Sequence, residues 1–357
     1  MRKWLRRLGT LLLFLAVALC FAPSLIPAFL DRLYYEGPRS DHFDGERFFN
    51  PDPGPQAGAH GGPSRYFNRW LRGGDERARW PDRVAVRQAV PPRRVEGGEM
   101  LVTWIGHASV LVQTRGLNIL TDPIWSERAS PFAFLGPKRV RAPGVRFEDL
   151  PRIDLVLVSH NHYDHMDLPT LKRLWRRDRP AIVTSLGNES ILRGAGIGAT
   201  ALDWTQGISV GGATVRIERN RHWSSRWGTD RNRALWSAFT VTLPGGNIFF
   251  AGDTGFGDGS WAREAAKHGP FRLAILPIGA YEPRDVMQAN HMNPDEAVRV
   301  FETLKPARAL GIHWGTFQLT FEGIDDPPRR LARALRDRGI AADRFVVREA
   351  GQPMRIP

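Results

Sequence analysis

Apolar and polar positions alternate in short runs between residues 100 and 121, which predicts strands at 100–105, 109–114 and 117–121, the last two joined by the Arg115-Gly116 turn into an antiparallel meander. The rhythm then changes. Residues 168–177 carry the apolar spacing of a helix, 181–184 reads as a short buried strand, and strands at 236–243, 247–252, 273–278 and 307–312 alternate with helices at about 259–268 and 294–304. Asn293-Pro294-Asp295-Glu296 opens the latter helix with a capping side chain, a first-turn proline and acids beside the positive end of the helix. A basic amphipathic helix is expected at 327–338. Strand-rich stretches followed by alternating strand and helix, in both halves, predict an α/β chain. Its two sheets pack face to face, helices lie outside, and strand ends from both halves meet along one edge.

The first 97 residues do not share this rhythm. Residues 8–30 form a run of 23 without charge, enough at about 1.5 Å per residue to cross a hydrocarbon core of about 30 Å. Arg2, Lys3, Arg6 and Arg7 precede the run, while Asp31, Arg32 and Glu36 follow it. The run is therefore expected to be a single-pass inner-membrane anchor, with the following chain on the extracytoplasmic side, the periplasm in a diderm bacterium. Its length, Pro23 and Pro27 favour an uncleaved anchor over a removed signal peptide. Residues 31–97 read as an irregular arm, breaker-rich at 50–55 and 58–63 and aromatic at 66–71. Phe43, Phe48, Phe49, Phe67, Trp70 and Trp80 are expected to dock the arm onto the domain.

Residues 98–357 then form one sizeable domain, and 42% hydrophobic content is enough to fill its core without a second globular unit. Lys and Arg exceed Asp and Glu by 50 to 37, and the net +13 favours anionic partners, whether phospholipid headgroups or nucleic acid. The single cysteine, Cys20, excludes an intramolecular disulfide.

Candidate chemistry sits where strands end. The apolar run Leu155-Val156-Leu157-Val158 leads into Ser159-His160-Asn161-His162-Tyr163-Asp164-His165, a density of imidazole and carboxylate donors that suits borderline divalent ions, zinc first. Three further strands arrive at His222, Asp253 and His313. A lone histidine at a strand end is an ordinary rim residue. Four arrivals together give seven donors, enough for two cations sharing one bridging carboxylate.

On these residues the chain resembles the metallo-β-lactamase superfamily, whose H-x-H-x-D-H signature is here His160, His162, Asp164 and His165. Within it the chain is most similar to the N-acylphosphatidylethanolamine-hydrolysing phospholipase D branch, through Trp104-Ile105-Gly106-His107-Ala108-Ser109, Thr121-Asp122-Pro123-Ile124, Gly136-Pro137-Lys138-Arg139 and His291-Met292-Asn293-Pro294-Asp295-Glu296-Ala297. The L-ascorbate 6-phosphate lactonase-like proteins share the metal signature. The resemblance spans residues 40–350 and implies the four-layer αβ/βα sandwich of the superfamily. It implies two zinc ions, one on His160, His162 and His222, the other on Asp164, His165 and His313, with Asp253 between them. It also places His291 at the substrate phosphate and His107 at the mouth of the site as a substrate contact.

Asp122 is the candidate for orienting a ligand ring, since metal-bound imidazoles need a partner at their second nitrogen. A short Asp before Pro is equally an ordinary turn residue. Asp164, Asp253 and His291 are the candidate catalytic groups of a phosphodiester hydrolysis driven by a dimetal-bridged hydroxide. The products implied are phosphatidic acid and an N-acylethanolamine. An esterase or lactonase acting on a small soluble substrate is the alternative; a nuclease suits the charge but neither the leader nor the His291 segment. The expected partners are therefore a phospholipid and a membrane, with no nucleic acid.

Overall fold

Residues 2–52 and 77–357 are described by the structure, a computed structural model. In the first half, strands β1 (Met100–Gly106), β2 (Ser109–Thr114), β3 (Leu117–Thr121), β4 (Leu155–Val158), β5 (Ala181–Ser185) and β6 (Thr200–Leu202) follow one another. In the second half come β7 (Gly207–Val210), β8 (Ala213–Glu218), β9 (Ala238–Thr242), β10 (Asn247–Phe250), β11 (Phe271–Pro277), β12 (Arg308–Ile312), β13 (Phe345–Val346) and β14 (Pro353–Ile356). They form two seven-stranded sheets, ordered β14-β1-β2-β3-β4-β5-β6 and β13-β12-β11-β10-β9-β8-β7. Each begins as an antiparallel meander, β1 to β3 and β7 to β10, and continues as parallel strands, β3 to β6 and β10 to β13.

Strand alternation explains the layers. In β4, Leu155 and Leu157 enter the core shared by the two sheets, with Val110, Val112, Val215, Ile217, Phe239 and Val241. The intervening Val156 and Val158 face the opposite way and pack with Leu171 and Leu174 of the helix Leu168–Asp178. Two buried faces per sheet require helices outside both, and each such Leu or Val contributes about 1.5–3 kcal/mol on leaving water. The helix Pro294–Leu304 begins with the expected capping box: the Asn293 side chain accepts from the Glu296 N–H, and the Glu296 side chain accepts from the Asn293 N–H. The elements that sequence rhythm does not reveal are short or marginal: β6, β7, β13, β14 and the seven-residue helix Asn188–Gly194.

The arm docks through side chains. Phe43 and Phe48 are buried and pair as an isolated bridge, His42 stacks on Trp204 at 4.4 Å, and the Trp80 indole donates to the Glu322 carbonyl at 2.9 Å. Phe49 remains 38% exposed. The expectations at 53–55, 58–63 and 66–71, including Phe67 and Trp70, lie outside the described residues. At the N-terminus a helix runs from Arg2 to Leu30. Among the described residues, however, no helix is long and apolar enough to cross a membrane.

Candidate metal centre

The apolar strands β4, β8, β10 and β12 are the rigid bases of the site, and each delivers its donors just past its last residue. After β4 the chain turns sharply: the N–H groups of His165 and Met166 both return to the His162 carbonyl, at 3.1 and 2.8 Å. The half-buried Arg226 guanidinium pins the turn by donating to the carbonyls of Asn161 and Met166 at 3.0 and 2.8 Å, and it lies 3.7 Å from the Tyr163 ring centre.

Two sets of donors result. His160 Nε2 stands 2.8 Å from His162 Nδ1, which stands 3.3 Å from His222 Nε2. Beside them, Asp253 Oδ2 lies 3.1 Å from His165 Nε2 and 3.0 Å from His313 Nε2, and Asp164 Oδ2 lies 3.3 and 3.4 Å from the same two nitrogens. Asp253 touches both sets, since His222 Nε2 is 3.9 Å from its Oδ2. All seven sequence-derived donors thus converge.

Their chemistry fits cations. Nitrogens bound tetrahedrally at about 2.0–2.1 Å stand roughly 3.3 Å apart, close to the spacing of the three-histidine set. Asp253 Oδ1 is buried without a hydrogen-bond partner, a state costing about 1–3 kcal/mol unless something else satisfies it, and His165 Nε2 and His313 Nε2 both face carboxylate oxygens across the centre of the set. Burial by itself disfavours charge on His165 and His313, but the carboxylates of Asp253 and Asp164 outweigh it. They hold His165 well above the usual imidazole range and His313 at about 9. Asp253 and Asp164 are held well below the carboxylate range by the same contacts, against the opposing effect of burial. This half draws positive charge. In the other half burial and neighbouring rings keep imidazoles neutral, as ligands must be: His160 falls well below its usual value, and His162 and His222 fall to about 3.

The surrounding contacts fix the rings. Asp122 is fully buried; its Oδ2 accepts from His165 Nδ1 at 2.6 Å and from the Ser159 hydroxyl at 2.6 Å, and its Oδ1 accepts from the Ser159 N–H at 2.7 Å. His222 Nδ1 donates to the Asn290 carbonyl at 3.0 Å. Both bonds put the ring proton on Nδ1 and leave Nε2 facing the cluster. Ser159 and Asn290 escaped the sequence reading, and only the adjacency of Ser159 to His160 could have suggested it.

Two further histidines join the cluster. His107, expected at the mouth, is 1% exposed, and its Nε2 bonds Asp164 Oδ2 at 2.8 Å. Its ring is held inward by Phe317, 5.2 Å away edge to face, and by His313 at 4.1 Å. It therefore supports a donor rather than lining the entrance. His291 Nδ1 lies 3.8 Å from Asp253 Oδ2, its ring 5.1 Å from that of His222, and burial pushes its pKa down to about 3. His107, Asp122 and His313 all hold positive φ, at 53°, 30° and 63°, and the His313 N–H donates to the His107 carbonyl at 3.0 Å. Such conformations cost about 1–3 kcal/mol each and persist where surrounding structure enforces them.

Comparison with known proteins agrees with this arrangement. The Beta-lactamase superfamily domain matches residues 117–314. N-acyl-phosphatidylethanolamine-hydrolyzing phospholipase D 1 of Caenorhabditis elegans is 36% identical over 312 residues, covering 82% of this chain and 87% of that protein. The mitochondrial N-acyl-phosphatidylethanolamine-hydrolyzing phospholipase D of Saccharomyces cerevisiae is 33% identical over 264 residues, covering 70% of this chain and 54% of that protein. Among solved structures, Igni18, a metallo hydrolase from Ignicoccus hospitalis, aligns with a TM-score of 0.56 at 19% identity over 72% of this chain and 99% of that one, a likeness of fold alone. The domain match takes in every donor from His160 to His313, and the likeness to the nematode protein extends over most of both sequences. The chain belongs to the metallo-β-lactamase superfamily and is a metal-dependent hydrolase akin to the N-acylphosphatidylethanolamine-hydrolysing phospholipases D.

Proposed function

We propose that this hydrolase cleaves the phosphodiester of an N-acylphosphatidylethanolamine-type phospholipid, releasing phosphatidic acid and an N-acylethanolamine. The observation that carries the reading is a two-set donor cluster sharing Asp253, in a chain 36% identical to a phospholipase named for that substrate. Two zinc ions, held by His160, His162 and His222 and by Asp164, His165 and His313 with Asp253 between, would supply Lewis acidity for the phosphoryl oxygens and acidify water.

The chain's own groups orient the reaction. His291 is buried and neutral, so its ring N–H serves as a hydrogen-bond donor to a phosphoryl oxygen rather than as a counter-charge. Asp253 Oδ1 is buried without a partner and ionised, which suits it to accept a hydrogen bond from the attacking water and orient it. His107 steadies Asp164, and Asp122 steadies His165. No side chain need act as a covalent nucleophile.

The test is zinc-loaded protein offered lactones, β-lactams and N-acylphosphatidylethanolamine side by side, with products read by mass spectrometry. Phosphatidic acid should form with wild type and not with Asp253→Asn, which should also bind less metal. Lactone opening without phosphodiester cleavage would replace this reading with the lactonase one. For location, the basic flank of residues 2–7 and the uncharged run behind it support an inner-membrane helix with the domain outside. Leu11, Leu12, Leu13 and Phe14 are 54–71% exposed on that helix, surface that lipid would cover. External protease should then reach the domain in cells whose outer barrier has been opened; full protection would reverse the orientation.

A further inference from the structure

Away from the metal centre, residues 127–139 double back as a narrow ribbon held by one isolated antiparallel bridge, Arg128 with Lys138. The Ala129 N–H donates to the Pro137 carbonyl at 3.0 Å, the Arg139 N–H to the Glu127 carbonyl at 2.9 Å, and the Arg128 guanidinium to the Gly136 carbonyl at 2.5 Å. Gly136 has φ +100°, and a Cβ there would fall 2.6 Å from that of Ser130, so the turn needs glycine. The tip is firmly built, yet it spends its side chains on water: Phe132, Phe134 and Leu135 are 45%, 79% and 61% exposed. Phe134 is the most exposed large apolar side chain among the described residues. Adjacent exposed apolar groups on an ordered loop mark a contact surface rather than a fold requirement.

The surroundings indicate what touches it. The tip borders a cleft of about 630 Å³ lined by Phe134, Leu135 and Trp80. Arg77, Arg128 and Lys138 line it too, against one acid, Asp82. Exposed apolar side chains beside an excess of basic ones match an anionic bilayer, which offers acyl chains to the first and phosphates to the second. The ribbon is also rooted beside the metal centre: the Arg139 guanidinium lies 5.1 Å from the Phe317 ring, and Phe317 packs edge to face on His107 at 5.2 Å. His107 in turn bonds Asp164.

We propose that the 130–136 tip docks the domain onto the surface of a bilayer containing anionic phospholipid, with Phe132, Phe134 and Leu135 entering the headgroup layer and Arg128 and Lys138 meeting phosphates. A second copy of the chain is the competing occupant. The test uses the full chain carrying Cys20→Ser with a fluorophore at Phe134→Cys, reconstituted in phosphatidylcholine vesicles with and without phosphatidylglycerol. A parallel sample carries the label at exposed Ala342→Cys, so that tethering by the N-terminal helix alone is controlled. Lipids spin-labelled near the headgroup should quench the label at 134 at least about threefold more than the label at 342, and more strongly when phosphatidylglycerol is present. Equal quenching at both positions overturns the proposal. So does shielding at 134 that rises with protein-to-lipid ratio but not with spin-labelled lipid, which would mark self-association. Quenching needs no turnover, so its failure is distinct from failure of the phospholipase reading.

Discussion

Asp122→Asn separates orientation of a ligand from ligation itself. The wild-type carboxylate has no exposure and accepts three bonds, two from Ser159 and one from His165 Nδ1 at 2.6 Å. Asparagine keeps the shape but offers one acceptor oxygen and no charge. With that oxygen in the place of Oδ2 its NH2 meets the Ser159 N–H, and turned over its NH2 meets His165 Nδ1, so one donor faces another either way and the hold on the His165 proton at Nδ1 weakens. A hydrogen bond to a charged group is worth about 1.5–3 kcal/mol, or roughly 10- to 150-fold at about 1.4 kcal/mol per decade. That agrees with the 10–100-fold typical of groups that orient a metal-bound imidazole. Zinc affinity of the Asp253-centred set should therefore fall by about this factor, while the three-histidine set changes little. Competition against a fluorescent chelator reads both affinities, and far-ultraviolet circular dichroism verifies the fold. Both affinities within about threefold of wild type would refute the assigned role of Asp122.

Two other outcomes follow from single sites. His291→Ala should retain its zinc and lose about 10²–10⁴-fold in turnover; loss of zinc instead would make His291 a ligand beside His222 and Asp253, a grouping its position permits. Glu218 concerns stability: its carboxyl is 5% exposed, 2.9 Å from His268 Nδ1, and burial pushes its pKa from 4.5 up to about 7. The folded state then holds this proton more tightly than the unfolded chain, so stability falls as pH rises from about 4.5 through 7, by about 3 kcal/mol once the group is ionised. Glu218→Gln should flatten that slope and raise the melting temperature at pH 8; identical pH profiles for the two proteins would count against a buried, protonated Glu218.

The sequence was most legible where periodicity and chemistry coincide. Leu155-Val156-Leu157-Val158 running into His160, His162, Asp164 and His165 announces both a buried strand and its cargo, and the capping box at Asn293 fixes a helix start to the residue. Boundaries blurred where burial, not pattern, ends an element: the strand expected at 236–243 covers 238–242, because Trp236 and Ser237 are buried but unpaired within the sheet. The edge strands escaped for a related reason. β14 contains Pro353 and Arg355 and is a strand only because β1 offers it a partner. In the site, His107 was legible as a histidine near metal but not as the partner of Asp164. That contact depends on Phe317 and His313, more than 200 residues away. Arg226, which clamps the His160 turn, carries no local signal at all.

The donors are divided between the two sheets: His160, His162, Asp164 and His165 follow β4 of one, while His222, Asp253 and His313 follow strands of the other. A cation gripped from both sides is a rivet across the seam. Neither half can form the nest by itself, so during refolding metal capture should come last, after the halves have met. Chelation should then do more than silence the enzyme: amide exchange ought to quicken first along that seam while the outer helices stay protected.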